Sequence, residues 1–574
     1  MPYATEHKGM CQLIEWCAGR WARLKRLSVE ERRDIFGVIL SLEHLAIVFF
    51  WITIMPMAEV LQQSANAAIC WPHFELCHWT QPWVRGHLFK ILCGYGFLAC
   101  VSAFLFWRQS RKRSGSALWP RAVLLMLNFL KAVLILQDLR LGGNFHYIPF
   151  FVSCSFSLLP KPENFIRWFL VLTYFFAGLL KLNSLWLSGF LAGRVWLPQA
   201  MMAAGAWYVV VLELIMIWFL LMSRRNLFVF VLSQLFLFHM LSIPSVLWFY
   251  PFVMASMLSI FLLFPVSTYR LSLTEISGLV VYSLLQLPLH LLSGDHSVTG
   301  QGRLWALNMY DGATDCNPII IERFRFDDHS QLLRLNFDIA LTIHARVKCD
   351  PLLYLQMGRG ACRKLEVDKS FEDLDISLVS RSLNWKHFQN LVNVKNFCAS
   401  KKSYRHFLAN SWIAASDVQS SESSVVLDPT PLAHRWQHDS APASVQIVSS
   451  PVKLSDNSVL LLEGPGKFVK RLSTGEIKWQ IEIADPGVGF FPQATILNSA
   501  IVLALQNGFL IKVDLLSGQL RWAIRAGPSI AQPPQWQGLI AQVEVPIPPL
   551  TQRDPILWRS VTIHLTDGVV RESR

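Results

Sequence analysis

Beyond His290 the chain has no apolar run long enough to cross a bilayer, which takes about 20 residues. That absence excludes helical membrane spans from the last 284 of its 574 residues. The first 35 residues lack a small-residue cleavage site behind an apolar run, so they do not read as a removable signal peptide. Lys8, Arg20, Arg23, Lys25, Arg26, Arg32 and Arg33 instead make a charged, amphipathic lead-in, and the first span is expected to stay as an anchor. The cysteines lack zinc-site spacing, and no metal is expected. The formal net charge of +13 is not a nucleic-acid signal, because the basic residues sit in short loops between apolar runs. There they orient a chain in a membrane, and no nucleic-acid partner is expected.

What the chain has in abundance is apolar and aromatic surface. Apolar residues make up 53% of it, with 22 Trp and 38 Phe, and they crowd into positions 36–292. Nine spans are expected, at 37–59, 88–107, 118–137, 145–160, 167–185, 207–223, 227–245, 250–266 and 274–292. The fourth is short and contains Pro149, so a broken or re-entrant helix also suits it. With the lead-in inside, nine spans put Arg108–Arg113, Lys161–Arg167, Arg224–Arg225 and Arg270 on one face. The opposite loops, such as 244–249, are nearly free of Lys and Arg. The N-terminus is therefore expected inside and the C-terminal tail outside. An even number of spans would reverse the tail.

The expected architecture is an α-helical multi-pass membrane bundle followed by an extracytoplasmic mixed and β tail with propeller-like repeats. Its parts are a cytoplasmic lead-in (1–36), a transmembrane domain (37–292), a mixed α/β segment (293–412), a linker with a degenerate first repeat (413–446) and a β domain (447–574). Cys70 and Cys77 fall in the first outer loop, and Cys316, Cys349, Cys362 and Cys398 in the tail, a compartment where disulfides could form. Their pairing is open, and buried free thiols are the alternative.

A charge inside hydrocarbon is expensive, which makes Glu43, His44, Lys131, His146, Lys181, Glu213, His239 and His290 functional candidates. The plainer reading of each is a residue snorkelling to the interface or paired inside the bundle. Lys181 stands apart, in Tyr174-Phe-Phe-Ala-Gly-Leu-Leu-Lys181-Leu-Asn-Ser-Leu-Trp186. Ala177 and Gly178 would let another helix approach closely just before it. A lysine in a partly desolvated site can act as a base near neutral pH.

Tyr174-Phe-Phe-Ala-Gly-Leu-Leu-Lys181-Leu, with Trp186 and Gly189 after it, resembles the signature of the vitamin K-dependent gamma-carboxylase-like family, also called the horizontally transferred transmembrane (HTTM) family. Asn144-Phe-His146-Tyr147 is similar to that family's Asn-Asn-His-Ser-Tyr element, with Phe145 at its second Asn position. Phe238-His239-Met240 and Tyr250-Pro-Phe-Val-Met254-Ala255 resemble a third segment, and Arg346-Val-Lys-Cys349-Asp350-Pro351 with Cys362 looks like an element of bacterial members. The resemblance covers roughly residues 35–370. It implies a membrane enzyme in which Lys181 deprotonates reduced vitamin K or a menaquinol. The quinol then reacts with oxygen to give a strong base and, finally, the epoxide, with or without carboxylation of a polypeptide glutamate. His146 would handle the proton on the carbanion side. Tyr174, His239, Asn144 and Tyr147 would contact the quinone or substrate. Lys181 and His146 are expected to converge near the outer membrane face. A bacterial inner membrane is the expected location, with the tail in the periplasm.

In the tail, alternation over Leu332-Arg-Leu-Asn-Phe-Asp-Ile-Ala-Leu-Thr-Ile-His-Ala predicts strands, and the stretch after Pro351 predicts a helix. Trp436, Trp479 and Trp522 are each 43 residues apart. They close Asp428-Pro-Thr-Pro-Leu-Ala-His-Arg-Trp436, Arg471-Leu-Ser-Thr-Gly475-Glu-Ile-Lys-Trp479 and Asp514-Leu-Leu-Ser-Gly518-Gln-Leu-Arg-Trp522, and Thr566-Asp-Gly568-Val-Val-Arg571 looks like a truncated further copy. That period with Gly turns and a fixed Trp suits propeller blades, and the unit resembles the repeat of pyrroloquinoline quinone-type propellers. A sandwich of short strands is the alternative. Roughly three and a half copies are too few to close a ring, so the open edges are expected to be covered by the 293–410 segment or a second chain.

Two functions from different classes follow. The first is a carboxylase-like membrane enzyme whose outer β domain recruits a polypeptide. The second is a non-catalytic membrane-anchored scaffold presenting a binding module. A transporter is disfavoured, since no inverted repeat is evident.

Overall fold

The computed structural model describes residues 27–54, 56–63, 69–74, 76–112, 118–189, 198–222, 224–243, 249–265, 270–292, 294–307, 314–325, 330–336, 349–382, 389–414, 446–449, 452–454, 456–462, 467–483, 490–497, 499–505, 509–525, 534–537, 539–547, 557–564 and 570–572. Lys8, Arg20, Arg23, Lys25 and Arg26 of the lead-in, residues 337–348, most of the 413–446 linker with Trp436, and the Thr566–Gly568 turn lie outside the described residues. The chain forms two compact units. One comprises Met1–Asn66, His73–Leu287 and Trp305–Asp311, and the other Ala67–Pro72, Pro288–Leu304 and Gly312–Arg574.

The first unit is helical: α1 (Val29–Thr53), α2 (Met57–Gln63), α3 (Cys77–Lys112), α4 (Leu118–Ile135), α5 (Asn144–Leu158), α6 (Pro162–Leu180), α7 (Gln199–Leu214), α8 (Arg225–Ser242), α9 (Phe249–Leu263) and α10 (Leu273–Gln286). Capping boxes start α1 and α10: Ser28 accepts from the Glu31 amide while Glu31 reaches back, and Ser272 and Glu275 repeat the exchange. The expected first span is cut short, since α1 ends at Thr53, three residues before Pro56, and α2 begins afresh beyond it. Pro149 does not break α5, which stays one helix around it.

Among the described residues, six helical stretches are long and apolar enough to cross a membrane: Val29–Thr53, Cys77–Arg111, Leu118–Ile135, Pro162–Leu180, Ala200–Leu221 and Arg225–Ser242. Six of the nine expected spans fall on these stretches. Helices α5, α9 and α10 do occupy the other three expected positions, but they have 15, 15 and 14 residues. At 1.5 Å per residue each covers only about 22 Å of a hydrocarbon layer about 30 Å thick.

Arginines gather several helix ends. Arg32 donates to the Leu263 carbonyl, Arg121 to that of Leu159, and Arg167 to those of Leu220 and Pro265, while Arg33 pairs with Glu163. Carbonyls at the last turn of a helix have no partner within it, and a guanidinium satisfies several at once. These contacts bring the starts of α1, α4 and α6 to the same end of the unit as the last turns of α5, α9 and the short helix Met216–Leu221.

The second unit carries the sheets. In the 293–412 segment, β1 (Thr314–Arg325) pairs antiparallel with β2 (Ser330–Asn336) and β3 (Phe371–Ser382), and β3 with β4 (Gln389–Val394). The expected strand at 332 and the helix after Pro351 are both present, the latter as α11 (Pro351–Leu365). Asp350 caps α11 by accepting from the Leu352 amide, with Pro351 in its first turn, so this Asp-Pro pair acts as a helix start. Disulfides Cys316–Cys349 and Cys362–Cys398 tie α11 to the sheet side of the segment.

Beyond residue 445 come β5 (Gln446–Ser449), then three antiparallel four-stranded runs. The first is β6 (Val452–Lys453), β7 (Val459–Leu462), β8 (Lys467–Arg471) and β9 (Ile477–Ile483). The second is β10 (Phe490–Leu497), β11 (Ala500–Leu505), β12 (Phe509–Asp514) and β13 (Leu520–Arg525). The third is β14 (Gln535–Gln537), β15 (Ile540–Ile547), β16 (Leu557–His564) and β17 (Val570–Glu572). Among the described residues these runs do not close on one another. β2 pairs in parallel with β9, which fuses the first run to the mixed segment as one eight-stranded sheet, and β5 adds to β10.

One step of the 43-residue repeat shows a packing contact. Gly475 and Gly518 adopt φ of +89° and +70° in the turns before β9 and β13, a region glycine enters without penalty. Trp479 then donates its indole N–H to the Leu515 carbonyl at 3.1 Å. A Cβ on Gly518 would stand 2.7 Å from the Trp479 ring. Trp479 of the first run is thus locked on the Gly518 turn of the second. Lys470 faces Trp479 across its hairpin and Lys512 faces Trp522, a second recurring pair.

Candidate functional site

The lysine singled out by the sequence ends α6, where its backbone caps the helix and Asn183 starts the short helix Ser184–Leu187. Its side chain turns back toward the bundle and is 2% exposed. Lys181 Nζ donates to Glu213 Oε2 at 2.5 Å and to the Ala177 carbonyl at 3.4 Å, and it lies 5.3 Å from the Trp186 ring. Gly178 makes the approach of α7 feasible, since a Cβ there would sit 2.9 Å from Leu214 and 3.0 Å from Glu213. Trp186 is fixed in turn by its indole N–H on the Ala206 carbonyl.

Beside this pair, the Tyr174 hydroxyl and His239 Nε2 share a hydrogen bond of 2.7 Å. Tyr174 lies within electrostatic reach of Glu213, and His239 within reach of Lys181. His239 Nδ1 is buried and has no hydrogen-bond partner among the described residues. Tyr250, from α9, lies edge-on to the His239 ring.

His146 belongs to a different neighbourhood. It stands in the first turn of α5 among the rings of Phe50, Trp51 and Phe145, at centroid distances of 6.2, 5.3 and 4.4 Å. Its charged neighbour is Lys131, which pairs with Glu43 at 3.3 Å. His44 meets the Tyr95 hydroxyl through Nδ1. Phe145, at the position where the resembled element has a second Asn, packs against Phe50 and Phe249.

Of the six site residues taken from the sequence, the structure therefore brings Lys181, Tyr174 and His239 together. His146, Asn144 and Tyr147 share the first turn of α5, with the Tyr147 hydroxyl donating to the Trp305 carbonyl. Lys181 and His146 have no immediate partner in common among the contacts given above. The residues left out of the expected site are Glu213, Glu43 and Lys131, and their signal was the one that found Lys181: an ionisable group in an apolar run. His290 stays outside both centres, its ring near that of His296.

A buried lysine–carboxylate pair is costly to desolvate and strongly coupled. With its proton on the carboxyl, such a pair presents a neutral amine, the form in which lysine accepts a proton. No protein family matches the chain, and no curated protein matches it. The fold and composition define a helical protein compatible with a multi-pass membrane protein, with a sheet-bearing C-terminal part.

Proposed function

We propose that the chain is a multi-pass membrane enzyme in which Lys181 acts as a buried base on a reduced, lipophilic quinone. The Lys181–Glu213 pair carries this reading. It offers a proton acceptor in a water-poor, aromatic-walled setting, where a reactive anion is shielded from quenching. The unmet Nδ1 of His239 is a ready partner for a quinol hydroxyl, and Tyr174 holds that imidazole from its other side. When bound, the quinol supplies with oxygen the strong base for proton abstraction, and is itself converted to the epoxide. The α5 turn with His146, Asn144 and Tyr147 supplies the second half of the resemblance to the gamma-carboxylase-like (HTTM) family, and a polypeptide glutamate recruited on the outer face is the substrate this implies.

The same reading takes the chain across the bacterial inner membrane nine times, with the shorter helices α5, α9 and α10 crossing too. Supporting this, Cys316, Cys349, Cys362 and Cys398 are all in disulfides, as are Cys70 and Cys77, while Cys93, Cys100 and Cys154 on the apolar helices are free. Oxidised outer segments and reduced helices suit a periplasmic tail.

The competing reading is an anchored scaffold. It is favoured by the open sheets of the second unit, whose unclosed edges offer backbone groups to a partner strand. The deciding experiment is quinol consumption by purified protein in detergent, with vitamin K hydroquinone or a menaquinol and oxygen. The wild type is expected to form the epoxide and Lys181→Ala to form none. A wild type inert toward both quinols leaves the scaffold standing.

A further inference from the structure

The Glu43–Lys131 pair is not used by the quinol reading, and the centre it forms with His146 has more polar atoms than partners. Four helices bring it together: α1 gives Glu43, His44 and Trp51, α3 gives Tyr95, α4 gives Lys131 and α5 gives His146. Lys131 and Glu43 are 0% exposed, and His146 is 2% exposed. Yet Glu43 Oε2, His44 Nε2, Trp51 Nε1 and both ring nitrogens of His146 have no hydrogen-bond partner among the described residues. Lys131 has three N–H donors, and among the described residues its side chain donates to Glu43 Oε1.

Buried polar groups are seldom left unmet, since each forfeits its hydration without return. Five orphaned atoms around one ion pair therefore ask for an occupant. The ion pair is neutral as a whole, which leaves no net charge to hold a free anion. The orphans mix donors and acceptors, and a buried water needs two to four such partners. The orphans are neighbours: the Trp51 ring lies 5.3 Å from that of His146 and 6.1 Å from that of Tyr95, whose hydroxyl holds His44.

We propose that Glu43, Lys131, His44 and His146 enclose ordered water that relays protons between the Glu43–Lys131 pair and the His146 imidazole. A proton accepted at one ring nitrogen of His146 is balanced by one released from the other, so the ring passes charge without retaining it. The relay rests on the geometry of this centre alone and stands or falls independently of quinol chemistry.

The test is hydrogen exchange at His146 in full-length protein labelled with 15N-histidine and reconstituted in nanodiscs, the signal being assigned by its loss in His146→Gln. In the wild type the ring N–H is expected to exchange with D2O within minutes despite its burial. In the neutral double variant Lys131→Met/Glu43→Gln exchange is expected to be about tenfold slower or more. Protection of the wild-type N–H for a day overturns the proposal, and so does unchanged exchange in the double variant. Should that variant not fold, the wild-type measurement alone decides, because an imidazole without a water link stays protected.

Discussion

Glu213 Oε2 lies 2.5 Å from Lys181 Nζ, with each side chain 2% exposed. Removing one member leaves the other charged and buried without compensation, which typically costs about 3–5 kcal/mol. Lys181→Met and Glu213→Gln should each lower the unfolding midpoint in detergent. The double variant Lys181→Met/Glu213→Leu should recover most of that loss, since well-packed apolar pairs often replace buried ion pairs without penalty. It should recover no quinol turnover. Additive losses in the double variant would show that the two side chains are not coupled.

Gly475 and Gly518 make a controlled comparison. Both have positive φ, so alanine at either is strained by about 1–2 kcal/mol. Only at Gly518 does the added Cβ meet Trp479, at 2.7 Å, whereas nothing lies within 4 Å at Gly475. Gly518→Ala should therefore destabilise the β domain by about 1–3 kcal/mol more than Gly475→Ala, the usual range for overpacking. The difference is read by urea unfolding followed through tryptophan fluorescence. Equal losses would mean that the Trp479 contact contributes nothing.

That contact also shows what was legible in the chain and what was not. Local signals survived folding: the Gly turns and Trp positions fall on successive hairpins, and the Asp-Pro before α11 begins a helix. Charges in apolar runs marked both polar centres. Partnerships escaped, because they are fixed by where distant helices cross. Nothing near Lys181 names Glu213, which arrives only because Gly178 admits α7, and nothing near His146 names Lys131. The β2–β9 seam joins residues about 150 apart, and the pattern of neither strand names the other, while four tail cysteines allow three pairings of which one is realised. The shortness of α5, α9 and α10 was hidden because the apolar runs of the sequence extend beyond the helices.

Acid should loosen the β domain through Asp514. Burial raises its pKa, but hydrogen bonds from Arg521, Ser517 and the Leu516 amide outweigh this and hold it down at about 2, against an ordinary value of 3.8. A carboxyl with a depressed folded-state pKa contributes stability above its unfolded value and loses it as pH falls toward the folded one. The window is therefore about pH 4 to 2. Asp514→Asn should be less stable than wild type at pH 7, and the gap should shrink across that window. Since Arg521 is 48% exposed, salt screening keeps the effect small. A gap unchanged by acid would remove Asp514 from the account.

The proposed nine crossings, six on the long helical stretches and three on α5, α9 and α10, are an odd number. The tail is then outside if the basic lead-in is inside. Cys362→Ser frees Cys398 from its disulfide, and a membrane-impermeant maleimide applied to intact bacterial cells should label that thiol. Labelling that appears only after the cells are opened would put the tail in the cytoplasm, where these disulfides would not persist, and would overturn the nine-crossing topology together with the periplasmic assignment.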